Sequence, residues 1–439
     1  MYRPAAAAAA LSLLTACGHT AELPLAQGIG PAPALPDPSK TLLPTVNVAD
    51  AVGWPAGASP VPAAGLRVQP FATGLEHPRW LLALPNGDVL VAETAAPPKP
   101  ERYEDHSIKS KFMALFMKKA GSAVPSANRI TLLRDTDGDG IADVKRPYIM
   151  GLWSPFGMAL VGSTLYVANA DALLAFAYDP AASAIVATPR TIARLPAERN
   201  HHWTKSLAAG PDGKLYVGVG SNSNVAEHGL AEEEARAAIW QIDPASGATR
   251  LFATGLRNPV GLDFRPGSSD LFVVVNERDE LGSDLVPDYL TRVRNGAFYG
   301  WPWSYFGNHV DTRVEPTRPD MVARAIAPDY ALGSHVAPLG LAFADGARLG
   351  PAFASGAFIG EHGSWNRDPF SGYKVVFVPF ANGGPVGRPI DVLTGFRAGD
   401  EAMGRPVGVE IAGDGALLVA DDVGNTVWRV SAAPAPPSR

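Results

Sequence analysis

Gly74–Glu93 reads GLEHPRWLLALPNGDVLVAE, a loop, an apolar run, an Asn-Gly turn and a second apolar run. The phrase returns along the chain. Gly151–Asn169 reads GLWSPFGMALVGSTLYVAN, His202–Gly220 reads HWTKSLAAGPDGKLYVGVG, and Gly255–Asn276 reads GLRNPVGLDFRPGSSDLFVVVN. His335–Gly360 is a looser copy, and Gly404–Asp422 reads GRPVGVEIAGDGALLVADD. Asn-Gly and Asp-Gly supply the positive φ that a tight hairpin turn needs. One such hairpin cannot bury both its faces, so repetition implies packing against neighbours of its own kind. The starts lie roughly 50 to 80 residues apart, enough for a four-stranded blade with insertions. The copies predict an all-β chain, a six-bladed β-propeller. A β-sandwich with chance hairpins is the alternative, disfavoured because sandwiches rarely repeat a phrase.

Bulk composition agrees. Of 439 residues, 46% are hydrophobic, with 45 Gly and 41 Pro, as many short strands and turns require. A formal net charge of −6, with no basic run interleaved with aromatics, excludes nucleic acid as the expected partner. No apolar stretch reaches the length of a membrane-spanning helix.

Residues 1–17 read as a lipoprotein-type signal peptide. Arg3 gives a minimal basic start, Ala5–Thr15 an apolar run, and Leu14-Thr15-Ala16-Cys17 resembles a bacterial lipobox with Cys17 as the acylated residue. An ordinary secretory signal with a chance Cys is the other reading. Cys17 is the single cysteine, so the mature body holds no disulfide. Export to the periplasm with a lipid anchor is expected, at the outer rather than the inner membrane because Gly18 and not Asp follows the Cys. Residues 18–64, rich in Pro and Ala, read as a flexible tether. The propeller is expected over 65–432, with 433–439 a tail and with Leu66–Phe71 and Thr426–Val430 closing the ring. Two insertions interrupt it. Pro97–Asn128 carries Lys109, Lys111, Lys118 and Lys119 around an apolar core, which suits a helix that either caps its own blade or meets a membrane or partner. Glu280–Leu332 contains Tyr299-Gly300-Trp301-Pro302-Trp303, either pocket lining or packing.

Two constellations could carry chemistry. The segment DTDGDGIAD places Asp135, Asp137, Asp139 and Asp143 at spacings that converge on one hard cation. It lacks the twelfth-position Glu, since Arg146 stands there, so structural Ca²⁺ and a plain Asp-rich turn both remain open. The second constellation is the set of loops that a propeller brings to one mouth of its channel. They offer His202, Lys205, Ser221, Asn222, Arg257, Asn258, Asp284, His335, Trp365, Asn366, Arg367 and Arg405. Arginines facing a channel call for an anion, because uncompensated buried charge is costly. A small polyanionic ligand follows.

The phrases HWTKSLAAGPDGKLYV, GLRNPVGL and YGWP resemble soluble quinoprotein sugar dehydrogenases that use pyrroloquinoline quinone (PQQ). VPSANRITLLRDTDGDG, NERDELGSDLVPDY and GSWNR resemble their sorbosone/pyranose dehydrogenase branch. The resemblance spans roughly Gly65 to Val430. It implies a six-bladed propeller carrying PQQ across one mouth, with His202 taking the substrate's hydroxyl proton while hydride passes to the quinone. It puts Arg257 over the quinone and Asn258 beside it, and Arg405 in the last repeat. Lys205, Asn222, Trp365, Asn366 and Arg367 are further cofactor-binding candidates. Ca²⁺ is expected on Asn276–Asp284, with Glu277, Arg278 and Asp284 contributing, partly through backbone carbonyls. The chain departs from the glucose dehydrogenase pattern at Ser221, where an Asp orients the catalytic His, at Val407, where a second Arg stands, and at Ser154-Pro155-Phe156, where a glutamine is expected.

The implied activity is oxidation of a sugar or sugar-derived aldehyde or alcohol. No C-x-x-C-H haem motif is present, so electrons are expected to leave to a separate acceptor, a cytochrome or quinone carrier. A non-catalytic surface propeller that binds carbohydrate or protein is the alternative. A lactonase is disfavoured because Arg and His occupy the phases where its metal ligands would stand.

Overall fold

The computed structural model describes residues 18–39, 45–104, 106 and 108–434. The chain is all-β and propeller-like. Its main sheets are antiparallel and built from consecutive strands, as in Pro78–Ala83, Val89–Glu93, Arg129–Arg134 and Val144–Ile149. Four further four-stranded sheets begin at Met158, Lys205, Asn258 and Pro406. A six-stranded sheet runs inward from Val61–Pro62 to Pro338–Phe343. The sheet that begins at Pro406 takes its outermost strand from the other end of the chain. Leu66–Ala72 pairs antiparallel with Thr426–Ala432, Val68 opposite Val430.

The repeated phrase makes the two inner strands of each sheet. Each inner turn holds a glycine at positive φ: Gly87, Gly162, Gly213, Gly267, Gly346 and Gly415. The first strands stand side by side, close enough that small residues are required. A side chain at Gly340 would strike the backbone of Val407, and one at Gly408 that of Arg79. Residues from all of these first strands line one central cavity of about 380 Å³, Leu82, Leu160, Ala209, Phe264, Phe343 and Ile411 among them. The hydrophobic cores lie between adjacent sheets, as where Phe156, Trp80 and Val407 pack together.

Strand alternation gives the molecule two ends. Loops ahead of each first strand, and between second and third strands, emerge at one end, the mouth. Turns between first and second, and third and fourth, strands emerge at the other.

The expectation of a flexible tether over 18–64 does not hold for its described part. Gly30 exchanges both backbone hydrogen bonds with Ala331, at 2.9 Å each. Ala21 N–H donates to Asp368 O at 2.7 Å, Asn47 N–H to Trp365 O at 2.8 Å, and Asp50–Ala51 lies parallel to Glu401–Ala402. Prolines limit this strap's own internal regular structure to one short 3-10 turn at Leu25–Gly28, and N–H groups such as those of Ala21, Gly30 and Asn47 pair with the body. Cys17 and the rest of 1–17 lie outside the described residues, as do 435–439. Within the first insertion, Ile108–Lys119 is a helix with Leu115 61% and Met117 47% exposed. Among the described residues no helix is long and apolar enough to cross a membrane.

Candidate active site

His202 heads the first strand of the third sheet. Its Nδ1 lies 2.9 Å from Ser221 O and 3.0 Å from Ser221 Oγ. A carbonyl can only accept, so Nδ1 carries the proton and Nε2 is the ring's basic atom. Ser221 Oγ donates in turn to Ser223 O at 2.7 Å, which fixes the hydroxyl. Ser221 thus orients the ring at the position where the resemblance expects an Asp. Burial holds the His202 ring well below the ordinary histidine range, with Arg257 and His201 adding to the effect. Asn258 stands beside it. A side chain at Gly220 would strike both Asn258 Oδ1 and His202 Cβ, and that buried Oδ1 has no hydrogen-bond partner.

Arg257 is buried, and all of its N–H groups are engaged. Nε donates to Asn224 O at 3.1 Å. Nη1 reaches Glu277 O at 2.7 Å and Asn276 O at 3.4 Å. Nη2 reaches Asn224 Oδ1 at 3.0 Å and Asp279 Oδ2 at 3.2 Å. Asp279 also accepts from Asn366 Nδ2 at 2.6 Å and lies 3.7 Å from His335 Nδ1. The predicted demand of channel arginines for a ligand anion is therefore met internally at Arg257, by Asp279. It is met internally too at Arg278, by Glu277 and Asp311, and at Arg367, 3.7 Å from Asp284.

Arg405 differs. Its Nη2 donates to Tyr373 Oη at 3.1 Å and its guanidinium lies over that ring, but its buried Nε has no partner. Among the described residues no carboxylate pairs with it. Nearby, Asp422 gathers Arg79, His362 Nε2 at 3.0 Å and His77 Nε2 at 3.7 Å. Burial alone would raise the Asp422 carboxyl, yet His362, Arg79 and His77 hold it well below the usual range. Burial pushes the His362 ring down to about 4. Arg79 Nε and both His77 nitrogens are buried without a hydrogen bond. Buried polar atoms are normally satisfied, so this group of orphans at one mouth suits a polar, anionic ligand.

The remaining predicted residues hold the scaffold. Lys205 is fully buried, donating to Asn200 Oδ1 and Trp203 O at 3.1 Å each, and burial lowers its ammonium far below the usual range. Asn222 Nδ2 donates to Glu232 O at 2.8 Å. Trp365 and Arg367 accept from Asn47 through their backbone carbonyls. In the predicted metal segment, Arg278 is fully buried and committed to the second insertion, donating to Pro302 O and Ser304 O. Glu277 Oε1 is buried without a partner. Asp284 accepts from the strap at Glu22 N–H, 2.6 Å. Val407 is core. Asp135, Asp137 and Asp143 bring carboxylate oxygens together on the opposite end, where Asp135 accepts from Gly138 and Gly140 N–H and Asp143 from Thr136. Asp139 turns aside to cap Ile141 N–H at 2.7 Å.

Asp279, Asp422, His362, His77 and Arg79 were not singled out in the sequence. Asp422 and His362 stand at the same phase of their repeats, each one position past the second strand, after Asp421 and Glu361, which pair with Pro406 and Pro338. That recurrence of carboxylate and imidazole was the available signal.

The fold and mouth define a propeller-like protein with a half-buried histidine beside a buried arginine. A TrAA12-like family model matches residues 129–290 and 310–433, more than half of the chain, and the chain belongs to that family. A pyrroloquinoline quinone-dependent pyranose dehydrogenase of Coprinopsis cinerea is 24% identical over 358 residues, 72% of this chain and 44% of that protein. The chain spans about half the length of the curated relatives it matches. Among solved structures, the holo PQQ domain of the Coprinopsis cinerea pyranose dehydrogenase superposes with a TM-score of 0.68 at 21% identity, over 88% of this chain and 100% of that one. A calcium structure of a Trichoderma reesei AA12 enzyme gives 0.68 at 19% identity, over 85% and 97%.

Proposed function

We propose that the chain is a PQQ- and Ca²⁺-dependent dehydrogenase of a sugar or sugar-derived alcohol or aldehyde, sorbosone- or pyranose-like, on a closed ring of six blades. The observation that carries the reading is the His202 ring, pinned at Nδ1 by Ser221 with Nε2 left basic and the orphaned Asn258 Oδ1 beside it, on the same mouth as the orphaned polar atoms of Arg79, His77 and Arg405. The cavity lined by every first strand supports the closed ring. The names of the relatives support the cofactor pair.

Arg405, Arg79, His77 and Asn258 would hold the quinone. The Asn276–Asp284 segment, with Asp279 and Glu277, would hold Ca²⁺. When bound, PQQ supplies an electron sink and Ca²⁺ a Lewis acid. The chain supplies the rest. His202 Nε2 accepts the hydroxyl proton of the substrate, and its depressed pKa keeps it neutral into mildly acidic solution. Arg257, with every donor engaged, acts through its charge rather than a new hydrogen bond. Electrons leave to a separate acceptor. We further propose export and lipid anchoring at Cys17.

The test is to add PQQ and CaCl₂ to the full chain and follow bound-quinone absorbance and sugar-dependent dye reduction. Both are expected. Absence of bound quinone at saturating cofactor rejects the reading.

A further inference from the structure

The strap grips one loop more closely than any other, and that loop lies in the proposed metal segment. Ser283 N–H donates to His19 Nδ1 at 3.0 Å, and Ser283 Oγ donates to His19 O. Asp284 Oδ2 accepts Glu22 N–H at 2.6 Å and Leu23 N–H at 3.2 Å. Ser39 N–H donates to Leu281 O at 3.0 Å. Gly282 stands at φ +104 with no room for a side chain, because Ser39 and His19 close over it. On its inner side the carbonyl of Gly282 meets His335 Nε2 at 3.0 Å. The other nitrogen of that ring lies 3.7 Å from Asp279 Oδ1. A chain of contacts therefore runs from His19 through 282–283 and His335 to the carboxylate that holds Arg257 and Asn366, its last link a 3.7 Å approach and not a hydrogen bond.

We propose that His19 is a positioning residue: the strap fixes the 281–284 loop and, through His335, the placement of Asp279 at the metal segment. Asp284 belongs to this clamp, since its Oδ2 is taken by the strap and its Oδ1 faces Arg367. A strap that merely covered apolar surface would not need a side-chain acceptor aimed at one loop amide. Glycine-permitted backbone and hydrogen bonds from outside are what an exposed loop needs to hold one conformation. The metal half of this inference rests on the proposed function; the loop half does not.

The test uses the full chain and His19→Ala, with Thr20→Val as control. Thr20 Oγ1 binds the Asp368 side chain, and Asp368 meets the 281–284 loop only through its backbone N–H to Ser283, which the control leaves in place. Hydrogen exchange of the cofactor-free chain reads the clamp directly. His19→Ala is expected to speed amide exchange over 279–285 about 10-fold or more, with Thr20→Val unchanged. With PQQ present, calorimetric Ca²⁺ titration is expected to show at least about 10-fold weaker binding for His19→Ala, as loss of an outer support typically gives. Unchanged exchange overturns the clamp. Faster exchange with Ca²⁺ affinity within two-fold of wild type overturns the link to the metal segment. If the wild-type chain binds neither PQQ nor Ca²⁺, the proposed function fails and the exchange result alone decides the clamp.

Discussion

The two ends of this molecule obey different rules. At the turn end, Gly87, Gly213, Gly267 and Gly346 sit at positive φ with open space where a side chain would go, and the phrase repeats with little change. At the mouth, positive φ falls on His77, Ser154, Asn200, His335 and Tyr373, residues with side chains that can leave this conformation only at the expense of their neighbours. Buried charges and unpartnered polar atoms gather there too. The turn end builds the ring by repetition, and the mouth spends the stability so gained on groups that no repeat would choose.

The largest effect expected is at His202. His202→Ala should leave PQQ binding nearly intact and lower turnover by about 10²–10⁴-fold, the usual contribution of a positioned base. The acid limb of wild-type turnover should lie below pH 6.5, because the ring's pKa is depressed and its neutral form persists into acid. Retained turnover in the reconstituted variant removes His202 from the chemistry, and an acid limb above neutrality contradicts the environment that Arg257 and burial impose.

Arg405→Ala comes next. Loss of one charge-assisted contact, about 1.5–3 kcal/mol, should weaken PQQ binding by about 10–100-fold in a direct quinone titration. The same titration on Asp135→Asn, at the turn end, should match wild type. Equal losses in both would dissolve the distinction between the ends.

That distinction also explains what could be read from the residues alone. The hairpins are local, since a turn's φ and the alternation beside it are written in consecutive positions, so the repeats and their glycines show plainly. His202, Arg257, Asn258 and Arg405 stand at repeat phases and could be found by comparing copies. Asp279 could not, because its partners Arg257, Asn366 and His335 come from distant segments and nothing beside it in the chain marks it as an anchor. Nor could the strap be recognised. Proline-rich composition reports a segment that cannot build a long helix or a strand of its own, and says nothing of the partners that Ala331, Asp368 and Ser283 supply.

Gly213→Ala isolates the turn end. Nothing lies within reach of an added methyl, so only the left-handed backbone opposes it, at about 1–2 kcal/mol. The melting temperature should fall while turnover per folded molecule stays at the wild-type value. A drop in turnover without a drop in stability would mean that the turn end communicates with the mouth.

The smallest effect tests the channel between the ends. Glu410 lines the central cavity on the turn-end half, where its Oε1 accepts Ala83 N–H at 3.4 Å. Burial raises its carboxyl to about 8, with Asp263 adding repulsion. Burial raises Asp263 itself to about 6. In the unfolded chain Glu410 would titrate near the ordinary value of about 4.3. Between those values the folded protein binds a proton that the unfolded chain does not, so this group's contribution to stability declines as pH rises toward 8. Glu410→Gln keeps the acceptor for Ala83 and removes the titration. The variant should melt with wild type at pH 4 and above it at pH 8, by about 1–2 °C because channel water reaches part of the carboxylate. A gap that is constant with pH would mean that the side chain acts by shape alone, and the channel would then be electrostatically indifferent along its length.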